Sequence, residues 1–179
     1  LFELYKKHLK ADFDSIIKEY SSYSKATAGD INVLTSALSV PCILKGEPIT
    51  GKAVKYCGLT MSFNSISNAA DSLSVIKQFV FDEKIFTLGQ MYDMLKNNYD
   101  GFENERKMIL SKGRFFGNDD DYADSIAESI IDSIYEIRNG VKSEDINTLV
   151  VGSFVGATHP NIIFGKMTAA TPDGRRNGD

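Results

Sequence analysis

The run Leu149-Val150-Val151-Gly152-Ser153-Phe154-Val155 is apolar almost throughout and rich in β-forming residues, as expected of a strand covered on both faces. Such a strand does not belong on a sheet with one solvated face. It directs the chain toward an α/β fold in which helices cover the sheet. The remaining sequence supplies helical patterns in excess of strand patterns. Residues 1–23 carry Leu4, Leu9, Phe13, Ile16, Ile17 and Tyr20 at near-helical spacing, with Lys6, Lys7, Lys10 and Lys18 between them. Small and polar residues from Ser21 to Gly29 break that pattern. Asp30 is then placed to cap a short helix with Ile31, Leu34 and Leu38, which Pro41 ends. Ala53-Val54-Lys55-Tyr56 reads as a second short strand.

Helical spacing returns over residues 65–81, with Leu73, Ile76, Phe79 and Val80 on one side. Thr87-Leu88-Gly89-Gln90 fits a capping box ahead of Leu88, Met91, Tyr92 and Leu95 at i, i+3, i+4 and i+7. Asn97 to Gly101 is a turn, and a short charged helix follows to Leu110, closed by Lys112-Gly113. Asn118-Asp119-Asp120-Asp121 precedes a stripe of Tyr122, Ile126, Ile130, Ile134 and Ile137 that stops at Arg138-Asn139-Gly140. Acids stand where helix N–H groups are unsatisfied, and glycine stands where the helix must end.

Composition limits the function classes. Twenty Lys and Arg against 24 Asp and Glu give a net charge of -4, which argues against a broad nucleic-acid surface or an anionic-membrane surface. No stretch is long and apolar enough to span a membrane. Cys42 and Cys57, 15 positions apart, match neither a paired zinc pattern nor a redox motif, and a reducing cytosol is the default. The opening Leu1 and the closing Arg175-Arg176-Asn177-Gly178-Asp179 suggest a piece cut from something larger.

Individual residues admit chemical readings. The acids at 119–121 and 124 invite calcium, but consecutive carboxylates diverge around a starting helix, and capping explains them better. Each cysteine could serve as a nucleophile or radical carrier, against a simpler reading as a small buried side chain. His8 lies on a lysine-rich face. His159 follows the buried strand at its C-terminal end, where α/β folds place ligands, and either lines a pocket or bonds to backbone. Thr171-Pro172-Asp173-Gly174 suits a tight turn. No complete Ser-His-Asp or Cys-His set can be assembled, and no metal ligands are assigned.

Three ordered segments carry a resemblance. Residues 68–81, Asn-Ala-Ala-Asp-Ser-Leu-Ser-Val-Ile-Lys-Gln-Phe-Val-Phe, are similar to the N-V-A-D-S-L-A-A-I-K-K-L-V-F helix of the pyruvate formate-lyase-like glycyl radical enzymes. Residues 98–106, Asn-Tyr-Asp-Gly-Phe-Glu-Asn-Glu-Arg, resemble that family's N-F-E-G-Y-E-E-L-R, and Phe116-Gly117-Asn118-Asp119-Asp120 its Y-G-N-D-D. Phe164-Gly165, followed by Ala170-Thr171-Pro172-Asp173-Gly174-Arg175, resembles its F-G and A-T-P-D-G-R.

The resemblance implies that the chain is an internal, helix-rich part of a ten-stranded α/β barrel, covering residues 1–179 as one piece of the barrel domain. The family's chemistry uses a cysteine on one central loop and a glycyl radical on another. A partner activase using S-adenosylmethionine and an iron-sulfur cluster installs the radical, the cysteine becomes a thiyl radical, and a small-molecule substrate is cleaved at a carbon-carbon or carbon-heteroatom bond. Formate acetyltransferase, lyase and dehydratase activities are all represented.

By the same resemblance the catalytic cysteine lies upstream of Leu1 and the radical glycine downstream of Asp179, so no residue here is assigned a catalytic role. Gly156 and Thr158 fall at positions that line the substrate pocket, with His159 on the opposite side. A homodimer in anaerobic cytoplasm, with no nucleic-acid or membrane partner, is implied for the full chain, and the piece alone is expected to be inactive. Two departures leave the substrate open. Gly51-Lys52-Ala53-Val54-Lys55-Tyr56-Cys57 stands where many members have G-G-A-x-Y-N, and Gly156-Ala157-Thr158-His159-Pro160-Asn161 differs from the dehydratase S-V-T-A-H or S-V-T-A-N. The rival readings are a non-catalytic scaffold of the same fold and an unrelated helical adaptor.

Overall fold

A computed structural model of the chain describes all residues except 28–31, 52, 57, 143–145, 147 and 153–157, and for 158–161 it describes the backbone alone. The chain divides into two compact units, Leu1–Ser62 with Ser133–Gly152, and Phe63–Asp132 with Ser153–Asp179.

In the first unit, helix α1 (Phe2–Ala26) outlasts its expected end. Ser22 Oγ bonds the Lys18 carbonyl at 3.0 Å and Thr27 Oγ1 the Tyr23 carbonyl at 2.9 Å, so the small polar residues serve a helix that is already nucleated. Phe13 is its buried residue and His8 is exposed. The expected cap Asp30 lies outside the described residues. Helix α2 (Val33–Ala37) is capped instead by Asn32, whose Oδ1 accepts from Thr35 N at 3.0 Å. Pro41 does not end that helix. It sits in the first turn of α3 (Val40–Lys45), where its missing N–H is not needed. Cys42 is buried and free, and Cys57 lies outside the described residues.

Ala53–Tyr56 is not a strand. It forms bends that pack Ala53 inward, its carbonyl held by Lys45 Nζ at 2.9 Å. The strand falls at β1 (Gly58–Ser62), which pairs in parallel with β2 (Thr148–Gly152) from Gly58 opposite Thr148 to Ser62 opposite Gly152. The described part of the apolar run, Leu149 to Gly152, is therefore strand, with Leu149 buried and its carbonyl bonded by both Arg138 Nε and Nη2; residues 153–155 of the run lie outside the described residues. Val150, pointing to the other face, is 49% exposed, so only one face of the described pair is covered.

In the second unit, α4 (Ile66–Val75) passes directly into a π-helix (Ile76–Asp82). The fully inward residues are Ala70, Ser74, Val75, Gln78 and Phe79; of the expected side Phe79 is buried, Ile76 and Val80 pack partly buried against the core, and Leu73 is half-buried. Buried Gln78 donates to Glu83 and to the Lys112 carbonyl and accepts from Arg114 N, which satisfies its amide inside the protein. Helix α5 (Leu88–Lys96) has the expected Thr87/Gln90 capping box. Its buried pair is Met91 and Met94, whereas Leu88 and Tyr92 are exposed.

Helix α6 (Glu103–Lys112) ends at Gly113 as expected. Helix α7 (Asp121–Gly140), of which residues 121–132 belong to this unit and 133–140 to the first, starts where Asp120 accepts from Tyr122 N at 3.0 Å while pairing with Arg114. That carboxylate caps the helix and is already matched to a cation. The last helix is α8 (Thr158–Met167). The core of this unit joins Val75, Phe79, Phe86, Met91, Met94, Tyr99 and Ile109, with the Phe79 and Phe86 rings stacked at 5.6 Å. No described helix is long and apolar enough to cross a membrane.

Candidate functional site

The three segments singled out in the sequence meet at one turn. Gly174 N bonds the Thr171 carbonyl at 3.1 Å and Thr171 N bonds the Arg175 carbonyl at 3.0 Å, closing Thr171-Pro172-Asp173-Gly174 into a β-turn with Gly174 at φ +92°. The Asp173 carboxylate accepts from Thr171 Oγ1 and from Arg175 N within the turn, and from Asn68 Nδ2 of α4 at 3.3 Å. Tyr99 Oη donates to the Thr171 carbonyl at 2.7 Å, and Arg106 Nε of α6 donates to the Gly174 carbonyl at 2.6 Å. Ala170 packs against the core described above.

The neighbouring contacts extend the brace. Asp71 accepts from Phe116 N at 2.7 Å, and Asn98 Oδ1 accepts from Asn177 N at 2.7 Å. Burial raises the Asp71 carboxyl above its ordinary range, opposed by the Phe116 bond and aided by the negative charge of Asp173. Tyr99 is fully buried, and burial, with the Asp173 charge second, pushes its phenol up to about 12.

This shift has a testable sign. The folded value lies above the ordinary 10, so the stability Tyr99 contributes is complete below about pH 10 and is lost as pH rises toward 12. Titration followed by phenolate absorbance is expected to show one tyrosine ionising after the others. Tyr99→Phe is expected to remove that step together with the alkaline loss of near-ultraviolet circular dichroism.

Arg175 lies on the other side of the turn. Its Nη1 donates to the carbonyls of Thr168 (3.1 Å) and Ala169 (3.3 Å), and its Nη2 to those of Gly165 (2.7 Å) and Asp179 (2.6 Å). Beside it a cleft of about 410 Å³ is lined by Asn64, Ser65, Ser67 and Asn68 at the start of α4 and by Phe164, Gly165 and Thr168 at the end of α8. This lining offers hydroxyl and amide groups but no nucleophile paired with a base. Among the described residues there is no group of three or more His, Cys, Asp or Glu side chains that could hold a metal ion. The turn's polar atoms are engaged in bracing it.

The sequence-derived site residues thus separate. Ala170, Thr171, Asp173, Gly174 and Arg175 come together, with Pro172 at the tip of the turn. Thr158 is the first residue of α8, and Gly156 lies outside the described residues. His159 is the second residue of α8, the element described next after β2. Sequence reasoning gave no role to Asn68, Tyr99 and Arg106. All three were already within the quoted segments, and that shared membership was the available signal.

The family described as pyruvate formate lyase-like matches residues 1–155. A (2S)-3-sulfopropanediol dehydratase from Klebsiella oxytoca is 32% identical over 142 residues, covering 79% of this chain and 17% of that protein. A trans-4-hydroxy-L-proline dehydratase from Clostridioides difficile is 30% identical over 176 residues, 98% of this chain and 22% of that protein. The crystal structure of hydroxyproline dehydratase from Clostridioides difficile, with trans-4-hydroxy-L-proline bound, superposes with a TM-score of 0.91 at 29% identity, covering 99% of this chain and 22% of that one. The chain therefore spans about a fifth of the length of these relatives, and its helix-rich fold with a small parallel sheet is part of their α/β barrel.

Proposed function

Because the chain belongs to the pyruvate formate lyase-like family of glycyl radical enzymes, we propose that it is part of a longer polypeptide that eliminates a group from a small hydroxylated metabolite. The observation that carries this reading is the hydroxyproline dehydratase structure, which matches 99% of the chain. Dehydratases among the relatives favour cleavage of a carbon-heteroatom bond over formate acetyltransferase chemistry. The exposed Val150 face of the parallel pair β1–β2 suits cover by further chain, since parallel sheets are buried on both faces.

In this reading the catalytic cysteine and the radical glycine lie outside the 179 residues, and a radical S-adenosylmethionine activase installs the radical. Gly156 and Thr158 line the substrate pocket, and the Ala170–Arg175 turn is structural. The complete protein works as a homodimer in the cytoplasm.

The complete polypeptide, activated anaerobically, is expected to give a glycyl doublet in electron paramagnetic resonance. It is also expected to consume at least one of trans-4-hydroxy-L-proline and (2S)-3-sulfopropanediol with loss of water. A complete reading frame without the cysteine or glycine loop, or a failure to form the doublet with a competent activase, would overturn the proposal.

A further inference from the structure

We infer that Arg175 is a positioning residue for the substrate pocket, acting through the rigid helix α8. The inference rests on the radical-enzyme reading above and adds to it the means by which the pocket end of α8 is held. The last carbonyls of a helix have no partner within it, and they carry the negative end of the helix dipole. At the end of α8 the Phe164 carbonyl accepts from Thr168 Oγ1 at 2.6 Å and the Gly165 carbonyl from Thr168 N at 3.2 Å, and one guanidinium adds to these bonds. Arg175 Nη2 reaches the Gly165 carbonyl at 2.7 Å, and Nη1 reaches those of Thr168 and Ala169 just beyond the helix, at 3.1 and 3.3 Å.

A Cβ at Gly165 would stand 3.6 Å from Arg175 Nη2, an ordinary contact, and 3.2 Å from the Asp179 carbonyl, a tight one, so the glycine leaves room for the Asp179 carbonyl that shares the guanidinium. The base of Arg175 is itself fixed, because its N–H bonds Asp173 and its carbonyl bonds Thr171 N, in a turn held by Tyr99, Arg106 and Asn68. Core, turn, guanidinium and helix end therefore form one continuous chain of contacts.

The opposite end of α8 is Thr158, which the reading above assigns to the substrate pocket. Ten helical residues make a rod about 15 Å long, so a tilt of about 4° at the Arg175 end displaces Thr158 by about 1 Å. A misplacement of that size in a reacting site can cost roughly 100-fold in rate. Lysine at position 175 keeps the charge but presents a point donor rather than a planar fork, and cannot bridge the three carbonyls in this geometry.

The test uses the complete polypeptide with Arg175→Lys and, as a more severe variant, Arg175→Ala. Glycyl radical content after activation is expected to equal the parent's in Arg175→Lys. Amide hydrogen exchange of residues 162–169 is expected to quicken, and kcat/KM for whichever of the two hydroxylated probes the parent consumes is expected to fall tenfold or more, with KM raised. Parental exchange and parental kcat/KM in Arg175→Lys would overturn the inference, as would a loss of turnover that only tracks a loss of radical. Absence of radical or turnover in the parent refutes the function proposed above instead, and hydrogen exchange still decides whether Arg175 holds α8.

Discussion

Tyr99→Ala is expected to cost the second unit about 3–5 kcal/mol of local stability, the loss typical of deleting a fully buried aromatic side chain. Two further effects push the same way. The Thr171 carbonyl loses its 2.7 Å phenol donor and keeps only the Gly174 N–H at 3.1 Å, and a lost hydrogen bond costs about 0.5–1.5 kcal/mol. Tyr99 also stands at φ +61°, with Asn98 at φ +54°, a backbone that bulky residues adopt only when surrounding contacts hold them there. Anchoring by the ring and the hydroxyl supplies that hold. In the complete polypeptide, hydrogen exchange over residues 88–112 and 170–175 should quicken together in Tyr99→Ala, because ring and hydroxyl join those two stretches. Tyr99→Phe should quicken mainly residues 170–175. Equal exchange in parent and Tyr99→Ala would show that the turn does not depend on this contact.

Where local chemistry decides the structure, the sequence was legible. The Thr87/Gln90 capping box, the Gly113 stop and the acidic start of α7 are each set within a few residues, and each is found where the pattern put it. The misreadings fall where distant contacts win. Ala53–Tyr56 has the side chains of a strand, but β2 pairs with Gly58–Ser62, and a strand is defined by its partner. The π-helix over Ile76–Asp82 is invisible to a 3.6-residue period, because the buried amide of Gln78 draws its partners from Glu83, Lys112 and Arg114.

The site follows the same division. Pro172 and Gly174 announce a tight turn through their own conformational preferences. Nothing local in Asn68, Tyr99 or Arg106 says that they close on that turn from 105, 72 and 68 residues away in sequence. Only the family resemblance marks all three segments at once. Charge patterning was no better a guide for Arg175. Next to Arg176 it reads only as charge just beyond the turn, yet it makes four bonds to backbone carbonyls.

Gly174→Ala is expected to break the same brace from inside the turn. Gly174 is buried at φ +92°, a conformation that costs a residue with a side chain about 1–3 kcal/mol. The added methyl would also lie 3.0 Å from Leu110 Cδ2, 3.1 Å from Leu110 Cγ and 3.6 Å from Ile109 Cγ2. Leu110 is 49% exposed and can swing outward, whereas Ile109 is fully buried and cannot, so overpacking adds toward the lower end of the usual 1–3 kcal/mol. Relief by a φ change would turn the Gly174 carbonyl away from Arg106 Nε and the Gly174 N–H away from Thr171. Either way the turn opens, Arg175 loses its fixed base, and the end of α8 loosens with it. In the complete polypeptide, Gly174→Ala should therefore quicken exchange at both 171–175 and 162–169, whereas Arg175→Lys should quicken only the latter. The asymmetry distinguishes a chain of contacts running from core to turn to helix from two independent local defects, which would leave 162–169 unchanged in Gly174→Ala.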